Sequence, residues 1–361
     1  MITTTIFPGR YIQGEGAIRE LGKELARFGK NALLICDPYI YDEVLSEFLD
    51  DIEREIKVQT ERFTGECSDE EIARLAKGTY DVIVGIGGGK SLDTAKAVGF
   101  QLKVPVVVVP TLASTDAPCS ALSVIYTPEG SFKRYLLLPR NPAVVLVDTG
   151  IVARAPVRFL VSGIGDALAT MFEAESCRQK FAGNMTGRIG SMTAYSLAQL
   201  CYETLLEYGL SAKLACEAHV VTPALEHIVE ANTLLSGLGF ESGGLAAAHA
   251  IHNGMTVAPG THGYFHGEKV AIGTLASLFL TDQDADVLEE VYDFCESVGL
   301  PVTLAGIGLD QASDEELMRI AEAACAEGET IHNEPRPVGP KAVFSALKAA
   351  DIEGRYREQI W

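Results

Sequence analysis

The sequence lacks any Cys-x-x-Cys pair, although it contains eight cysteines spread from Cys36 to Cys325. This absence excludes the ligand spacing of zinc ribbons and the redox motif of thioredoxin-like proteins. Isolated thiols of this kind are typical of packing residues in proteins from a reducing compartment. We therefore expect reduced, buried cysteines and a cytoplasmic location.

Basic residues are scarce, with 29 lysines and arginines against 49 aspartates and glutamates, a formal net charge of −20 at pH 7. Such a polyanion repels nucleic acid and anionic lipid, and no local basic stripe offsets the charge. No apolar run reaches the roughly 18 residues of a membrane span, and residues 1–10 lack the pattern of a signal peptide. We expect neither nucleic acid nor a membrane as a partner.

The chain has two halves of different periodicity. In the first half, short β-branched runs with little polar alternation are separated by amphipathic segments, a pattern typical of parallel strands covered by helices on both faces. Ala- and Leu-rich segments with helical spacing follow from about residue 158. We predict a doubly wound, Rossmann-like α/β domain over residues 1–157 and an all-α domain over residues 158–361, with a cleft between them. The predicted strands are 31–36, 56–63, 80–86, 104–110 and 143–147.

Two local signals indicate helix ends. Ser68 and Glu71 have the spacing of a capping box, in which each side chain accepts a hydrogen bond from the other residue's backbone N–H. Gly209 falls between two helical segments, 187–208 and 212–234, and we expect it to separate them.

A glycine-rich segment follows the predicted strand 80–86 and opens a helix: Gly85-Ile-Gly87-Gly88-Gly89-Lys90-Ser91. Glycines let the backbone approach a pyrophosphate, and the N–H groups of a helix N-terminus bind anions. The segment does not match the Walker A loop, because Val84 replaces its first glycine, or G-x-G-x-x-G, because Lys90 replaces its last. We interpret it as a dinucleotide- or nucleotide-binding loop; the alternative is a purely structural turn.

Two further segments fall at the same edge of the predicted sheet. Asp37 ends the strand 31–36, where a carboxylate can bind both ribose hydroxyls and would repel a 2′-phosphate, which favours NAD over NADP; the alternative is a solvated loop aspartate before Pro38. Residues 110–126 form a long polar loop by their composition. Its hydroxyls suit a nicotinamide, a ribose or a phosphate, and Asp116 suits a polyol hydroxyl.

Four of the seven histidines lie close together, at His249, His252, His262 and His266. Histidine is a common ligand of borderline metals and titrates near neutral pH. A glycine- and alanine-rich helix can also bury histidines that simply pair with backbone carbonyls. We interpret the group as part of a metal site.

These segments together resemble the iron-containing alcohol dehydrogenase superfamily, and in particular its zinc-type members that oxidise glycerol. The resemblance covers nearly the whole chain, including Gly165-Asp166-Ala-Leu and His266-Gly-Glu-Lys-Val270. It implies a homo-oligomer with a nicotinamide-binding domain, a helical domain and a divalent metal between them. By motif position it implies metal ligands at Asp166, His249 and His266, which also face the substrate, and a polyol contact at Asp116. The implied cofactor contacts are Asp37, Gly89, Lys90, Asp93, Thr111, Ser114, Ser120, Leu122 and Tyr126, and the loop glycines Gly87 and Gly88 belong to the same set.

One carboxylate and two imidazoles form a three-ligand site that leaves a position open for substrate, as catalytic zinc sites do. Iron-dependent members of the superfamily resemble one another in a histidine one turn after the aspartate, where this chain has Thr170. The difference favours Zn²⁺, although ligand type does not exclude iron or manganese. His252 lies three residues after His249 and therefore on the same helix face. We favour an indirect catalytic role for it, relaying a proton, over direct ligation, and expect His262 to be an ordinary loop residue.

The expected function is NAD-dependent oxidation of glycerol to dihydroxyacetone, with Asp116 orienting the polyol and His252 assisting proton exit. The nearest alternative is oxidation of another 1,2-diol or a 2-hydroxy acid, although residues 110–126 contain no cation for a carboxylate substrate. A dehydroquinate-synthase-like lyase would use NAD and zinc but needs several basic residues in the cleft. A non-catalytic NAD-binding regulator would have a disrupted metal site.

Overall fold

A six-stranded parallel sheet forms the centre of the N-terminal half in the computed structural model, which describes residues 2–360. Its strand order is β1-β8-β5-β4-β2-β3. The strands of the chain are β1 (Tyr11–Gly14), β2 (Asn31–Cys36), β3 (Lys57–Arg62), β4 (Val82–Gly87), β5 (Val106–Pro110), β6 (Leu122–Tyr126), β7 (Phe132–Leu137) and β8 (Val144–Asp148). The helices of this half are α1 (Leu21–Ala26), α2 (Leu49–Glu53), α3 (Asp69–Leu75), α4 (Gly89–Leu102) and α5 (Thr149–Arg154).

The central strands are buried on both faces, which confirms the interpretation of their apolar runs. Every residue of β4 and β8 is buried, and two separate apolar clusters cover the two faces of the sheet. The register pairs Gly87 with Pro110 and Cys36 with Ile86. Parallel pairing therefore brings the glycine loop, Asp37 and the segment after β5 to one edge of the sheet.

The C-terminal half consists of packed helices, and the predicted fold class is thus confirmed. Its helices are α6 (Val157–Lys180), α7 (Met192–Glu217), α8 (Pro223–Glu230), α9 (Ser236–Gly243), α10 (Ala247–Met255), α11 (His266–Leu280), α12 (Ala285–Val298), α13 (Asp314–Ala324) and α14 (Pro340–Ile360). The domain boundary at residues 157/158 stays a prediction. None of the helices within residues 2–360 combines the length and apolarity that crossing a membrane requires.

The structure corrects three local predictions. The segment 110–126 is not one loop, because residues 122–126 form β6, which pairs with β7 as an antiparallel hairpin and buries Ile125 against the sheet core. Helix α7 continues through Gly209, since this glycine makes room for the Phe294 ring of α12 instead of ending a helix. At α3, Ser68 Oγ accepts from Glu71 N, but the Glu71 carboxylate accepts from Thr64 N and not from Ser68 N.

Two glycines let α6 and α11 pack backbone against backbone. A Cβ atom at Gly165 would collide with the carbonyl of Gly267, and one at Gly267 would collide with the carbonyl of Ser162. This close approach brings Asp166 of α6 next to His266, the first residue of α11. Helix α10 packs against α11 and brings His249 to the same place.

Candidate active site

Asp166, His249 and His266 meet as a three-residue cluster between α6, α10 and α11. Asp166 Oδ1 lies 3.3 Å from His249 Nε2 and 2.9 Å from His266 Nε2. One ligand atom from each residue falls within 4.8 Å of the others. Asp166 and His249 are buried, and His266 is half-buried. The structure thus brings together the three residues that the resemblance implies, although their role as ligands stays a prediction.

The donor set fits a divalent cation. Asp166 Oδ1 is buried and accepts no hydrogen bond from the described residues, although two ring nitrogens lie within 3.3 Å of it. Neither ring is aligned to donate a hydrogen bond to this oxygen. A buried, unpaired carboxylate oxygen is costly, and a cation among the three atoms removes that cost.

The titration behaviour of the cluster points in the same direction. Burial raises the pKa of Asp166, but the neighbouring His266 and His249 outweigh burial and hold it well below its usual range. Burial lowers the pKa of His249, but Glu173 and Asp166 outweigh it and raise the pKa well above its usual value. The negative surroundings therefore favour a positive charge at this point.

Glu173 fixes the His249 ring, and the sequence reasoning did not identify it. Its Oε2 lies 2.6 Å from His249 Nδ1, and its Oε1 accepts hydrogen bonds from the backbone N–H groups of Ala246 and His249. A carboxylate only accepts here, so Nδ1 carries a proton, and Nε2 of the neutral ring presents a lone pair to Asp166. A signal was present in the sequence, because Glu173 follows Asp166 by seven residues and so shares its helix face.

The other two histidines of the group take different positions. His252 is buried, and its Nε2 lies 3.1 Å from His266 Nδ1. Burial, and next the charge of His266, lower the pKa of His252 well below its usual value, so the ring is neutral. Its proposed part in proton exit stays a prediction. His262 is exposed, pairs through Nε2 with the carbonyl of Thr256 and lies outside the cluster.

Asp116 reaches the cluster from the N-terminal half. Its backbone N–H donates to Asp166 Oδ2 at 3.1 Å, and its own Oδ2 accepts a hydrogen bond from Ser236 Oγ at 2.8 Å. Burial, and next the charge of Asp166, raise the pKa of Asp116 well above its usual value. The structure therefore places the predicted polyol contact beside the predicted metal ligands, at the junction of the two halves.

The glycine loop leaves open space at the start of α4. Among the described residues, a Cβ atom at Gly89 would meet no atom within 4 Å, and one at Gly88 would meet only a side-chain carbon at 3.6 Å. Gly87 has a φ of 142°, which favours glycine, and a Cβ there would collide with the Asp37 carboxylate. The carboxylate and the helix N-terminus therefore face one space, as binding of a dinucleotide requires.

The remaining predicted cofactor residues lie around this edge, several with partners in the protein. Lys90 Nζ pairs with Glu66 Oε1 at 2.6 Å and lies 5.1 Å above the Tyr126 ring. Thr111 N donates to the Gly87 carbonyl at 3.1 Å, and the Ser114 carbonyl accepts from Ser162 Oγ at 3.3 Å. Their roles in cofactor binding stay predictions.

Asp93, Ser120 and Leu122 surround a buried lysine, Lys96, that the sequence reasoning did not single out. Lys96 Nζ donates to the carbonyls of Ala117 and Leu122 and lies 3.4 Å from both Asp93 Oδ1 and Ser120 Oγ. This network holds the segment that carries Asp116 to the buried face of α4. The signal was weak, because a lysine three residues after an aspartate usually indicates a solvated helix face.

Known proteins resemble this chain over its full length. The family model described as "Iron-containing alcohol dehydrogenase" matches residues 8–149. A glycerol dehydrogenase from Thermotoga maritima is 69% identical, with 100% of each chain covered. The chain belongs to the iron-containing alcohol dehydrogenase family. A crystal structure of glycerol dehydrogenase from Schizosaccharomyces pombe has a TM-score of 0.95 at 39% identity, covering 99% of this chain and 93% of that chain. A probable glycerol dehydrogenase from Sinorhizobium meliloti has a TM-score of 0.92 at 45% identity, covering 98% and 100%.

Family membership confirms the resemblance drawn from the motifs, and with it the expectation of an NAD-dependent dehydrogenase. The lyase and the non-catalytic regulator are not favoured. The cluster at Asp166 lies where the two halves of this chain meet.

Proposed function

We propose that the protein oxidises the secondary hydroxyl of glycerol to dihydroxyacetone, with NAD⁺ as hydride acceptor and Zn²⁺ as its metal. The observation that carries this proposal is the buried, unpaired Asp166 Oδ1 between His249 Nε2 and His266 Nε2, with Asp116 bonded to the same carboxylate. Asp166, His249 and His266 would hold a divalent cation, which would supply the Lewis acidity that favours loss of an alcohol's proton.

The residues of the chain would divide the remaining work. Asp116 would hydrogen-bond a second hydroxyl of the polyol and orient it, which lowers the entropy cost of reaching the reactive geometry. The neutral His252, adjacent to His266, would pass the released proton toward solvent. Asp37 would take the ribose hydroxyls, and the N–H groups at Gly88, Gly89 and Lys90 would face the pyrophosphate.

Zinc is supported over iron by the position one turn after Asp166. Thr170 occupies it, and its hydroxyl pairs with Ser236 Oγ at 2.8 Å. Ser236 in turn donates to Asp116. Residue 170 therefore supports the proposed polyol contact through Ser236 and supplies no third imidazole to the metal. A set of one carboxylate and two imidazoles suits zinc with an open coordination position.

We also propose a homo-oligomer in the cytoplasm. The eight cysteines are free, and seven of them are buried, which fits a reducing compartment. Exposed apolar side chains on α7, namely Met192, Leu200, Leu210 and Leu214, support contact with further copies of the chain.

One experiment tests the proposed reaction. The purified full chain is analysed for bound metal, and NADH formation is followed with glycerol, 1,2-propanediol and 2-hydroxybutyrate, before and after chelation. We expect one zinc per chain, glycerol as the substrate with the highest kcat/KM, and loss of activity on chelation that added Zn²⁺ restores. Full activity after complete removal of metal would refute the proposal, and a preference for 2-hydroxybutyrate would replace the polyol by an acid.

A further inference from the structure

A line of hydrogen bonds leads from His266 away from the cluster toward the protein surface. His266 Nδ1 lies 3.1 Å from His252 Nε2, and His252 Nδ1 lies 3.1 Å from Asn253 Oδ1. Asn253 Nδ2 donates to Glu329 Oε2 at 2.9 Å. Asn253 and Glu329 are half-buried, whereas His252 is buried. The line therefore begins at a predicted metal ligand and ends at a partly solvated carboxylate.

The carboxylate at the end of the line determines the direction of every hydrogen bond in it. The Asn253 amide turns its Nδ2 toward Glu329, whose carboxylate oxygen accepts the hydrogen bond. Its Oδ1 then faces His252 and only accepts, so the proton of the His252 ring sits on Nδ1. The Nε2 atom of His252 consequently presents a lone pair to His266.

The same logic fixes the state of His266. Since His252 Nε2 accepts, His266 donates from Nδ1, and its other nitrogen, Nε2, presents a lone pair toward Asp166. Glu173 fixes the tautomer of His249 in the same way, through a direct contact of 2.6 Å with its Nδ1. Both imidazoles thus face the cluster in the state that a metal ion needs.

We propose that Asn253 and Glu329 are positioning residues that prepare His266 to bind the metal, by locking His252 and His266 in a single tautomer. This inference rests on the proposed metal site. Without the Glu329 carboxylate, the amide of Asn253 can turn over and present Nδ2 to His252. Every bond of the line then reverses, and the proton of His266 moves to Nε2, where it must be displaced before a metal can bind.

Zinc affinity of the full chain, stripped of metal and titrated with Zn²⁺ against a chromophoric chelator, tests the inference. Replacing a group that orients a metal ligand typically weakens metal binding about 10- to 100-fold, and we expect this loss for Glu329→Leu. The matched control is Glu327→Leu, which removes an exposed glutamate two residues earlier and leaves zinc affinity unchanged.

A double variant distinguishes the effect of hydrogen-bond direction from the effect of altered packing at residue 329. In Asn253→Asp combined with Glu329→Gln, the carboxylate at 253 still accepts from His252, and the amide at 329 donates to it. The acceptor that sets the tautomer is restored, so we expect zinc affinity within about 3-fold of the parent, against the 10- to 100-fold loss expected for Glu329→Leu. Nitrogen-15 spectra of the metal-free, histidine-labelled protein should show His252 and His266 as Nδ1–H tautomers in the parent and the double variant only.

The outcomes are distinguishable. Unchanged zinc affinity in Glu329→Leu, or a double variant as weak as Glu329→Leu, would overturn the inference while leaving the proposed metal site intact. A parent protein that binds no zinc at all would instead overturn the proposed site, and the inference with it.

Discussion

The Glu173 carboxylate joins His249 to the start of α10: one oxygen lies 2.6 Å from His249 Nδ1, and the other accepts the backbone N–H groups of Ala246 and His249. A single side chain on α6 therefore positions both the ring of a predicted ligand and the helix that carries it. Asp166 lies on the same face of α6, so this helix carries one predicted ligand and orients a second.

Glu173→Gln should weaken zinc binding about 10- to 100-fold. An amide whose oxygen keeps the two backbone contacts turns its NH₂ group toward His249 Nδ1, and the ring proton then moves to Nε2, inside the cluster. Zinc titration of the metal-free protein measures the loss. Glu334→Gln is the matched control, because Glu334 accepts from Ala247 N at the same helix end without touching a histidine. Equal affinity in the Glu173 variant and the parent would contradict the assignment.

Asp116→Ala should lower kcat/KM for glycerol by about 100-fold, because a misplaced substrate loses much of the benefit of orientation. Zinc affinity should stay close to the parent value, since the contact of Asp116 with Asp166 comes from its backbone N–H. The substrate 2-propanol, which has a secondary hydroxyl and no other, supplies the control. Its turnover should change little, and an equal loss for both alcohols would show that Asp116 does not recognise the second hydroxyl.

Lys96→Met should reduce the free energy of unfolding by about 3–5 kcal/mol, the usual cost of leaving a buried charge without its partner. Lys96 is 2% exposed, and Asp93 beside it is 7% exposed. Urea denaturation measures the loss. Asp93→Asn in the same chain should recover part of it, because the orphaned carboxylate is removed; a double variant less stable than Lys96→Met would show that the two groups do not act as a pair.

The stability of the protein should depend on pH through Glu334. Burial raises the pKa of Glu334 to about 7, from about 4.5 for an exposed glutamate. The folded state thus binds this proton more tightly than the unfolded state, so the contribution of Glu334 to stability falls as the pH rises from 4.5 to 7 and is level above that.

Glu334→Gln removes this contribution while keeping both hydrogen bonds, because its amide can accept from Ala247 N and donate to Ser176 Oγ. The unfolding free energy of the variant minus that of the parent should rise by roughly 3 kcal/mol from pH 4 to pH 8. Unfolding curves at both pH values give the comparison. Glu315→Gln, at an exposed glutamate, should show no such gain, and an equal gain in both variants would rule out Glu334 as the cause.

The sequence predicted those strands and helices that a local pattern of apolar residues or glycines marks. Apolar patterns within a few residues predict the buried strands β2, β4 and β5. The nearby glycines predict the helix that begins at Gly89. The same reasoning failed at β6 and β7, whose pairing depends on contacts across a turn, and at Gly209, which serves the Phe294 ring of another helix.

At the site, the sequence alone determined which residue types were available: the clustered histidines, the aspartates and the glycines before α4. Only the tertiary structure decided which of them meet, because Asp166 and His249 are 83 positions apart. They approach because α6 packs against α11 through two glycines and α10 packs against α11. It also decided the state of each ring, since Glu173, Asn253 and Glu329 act on the histidines through hydrogen bonds whose direction no local pattern encodes. A buried polar group needs a hydrogen-bond partner, and the fold of the whole chain decides which residue that partner is.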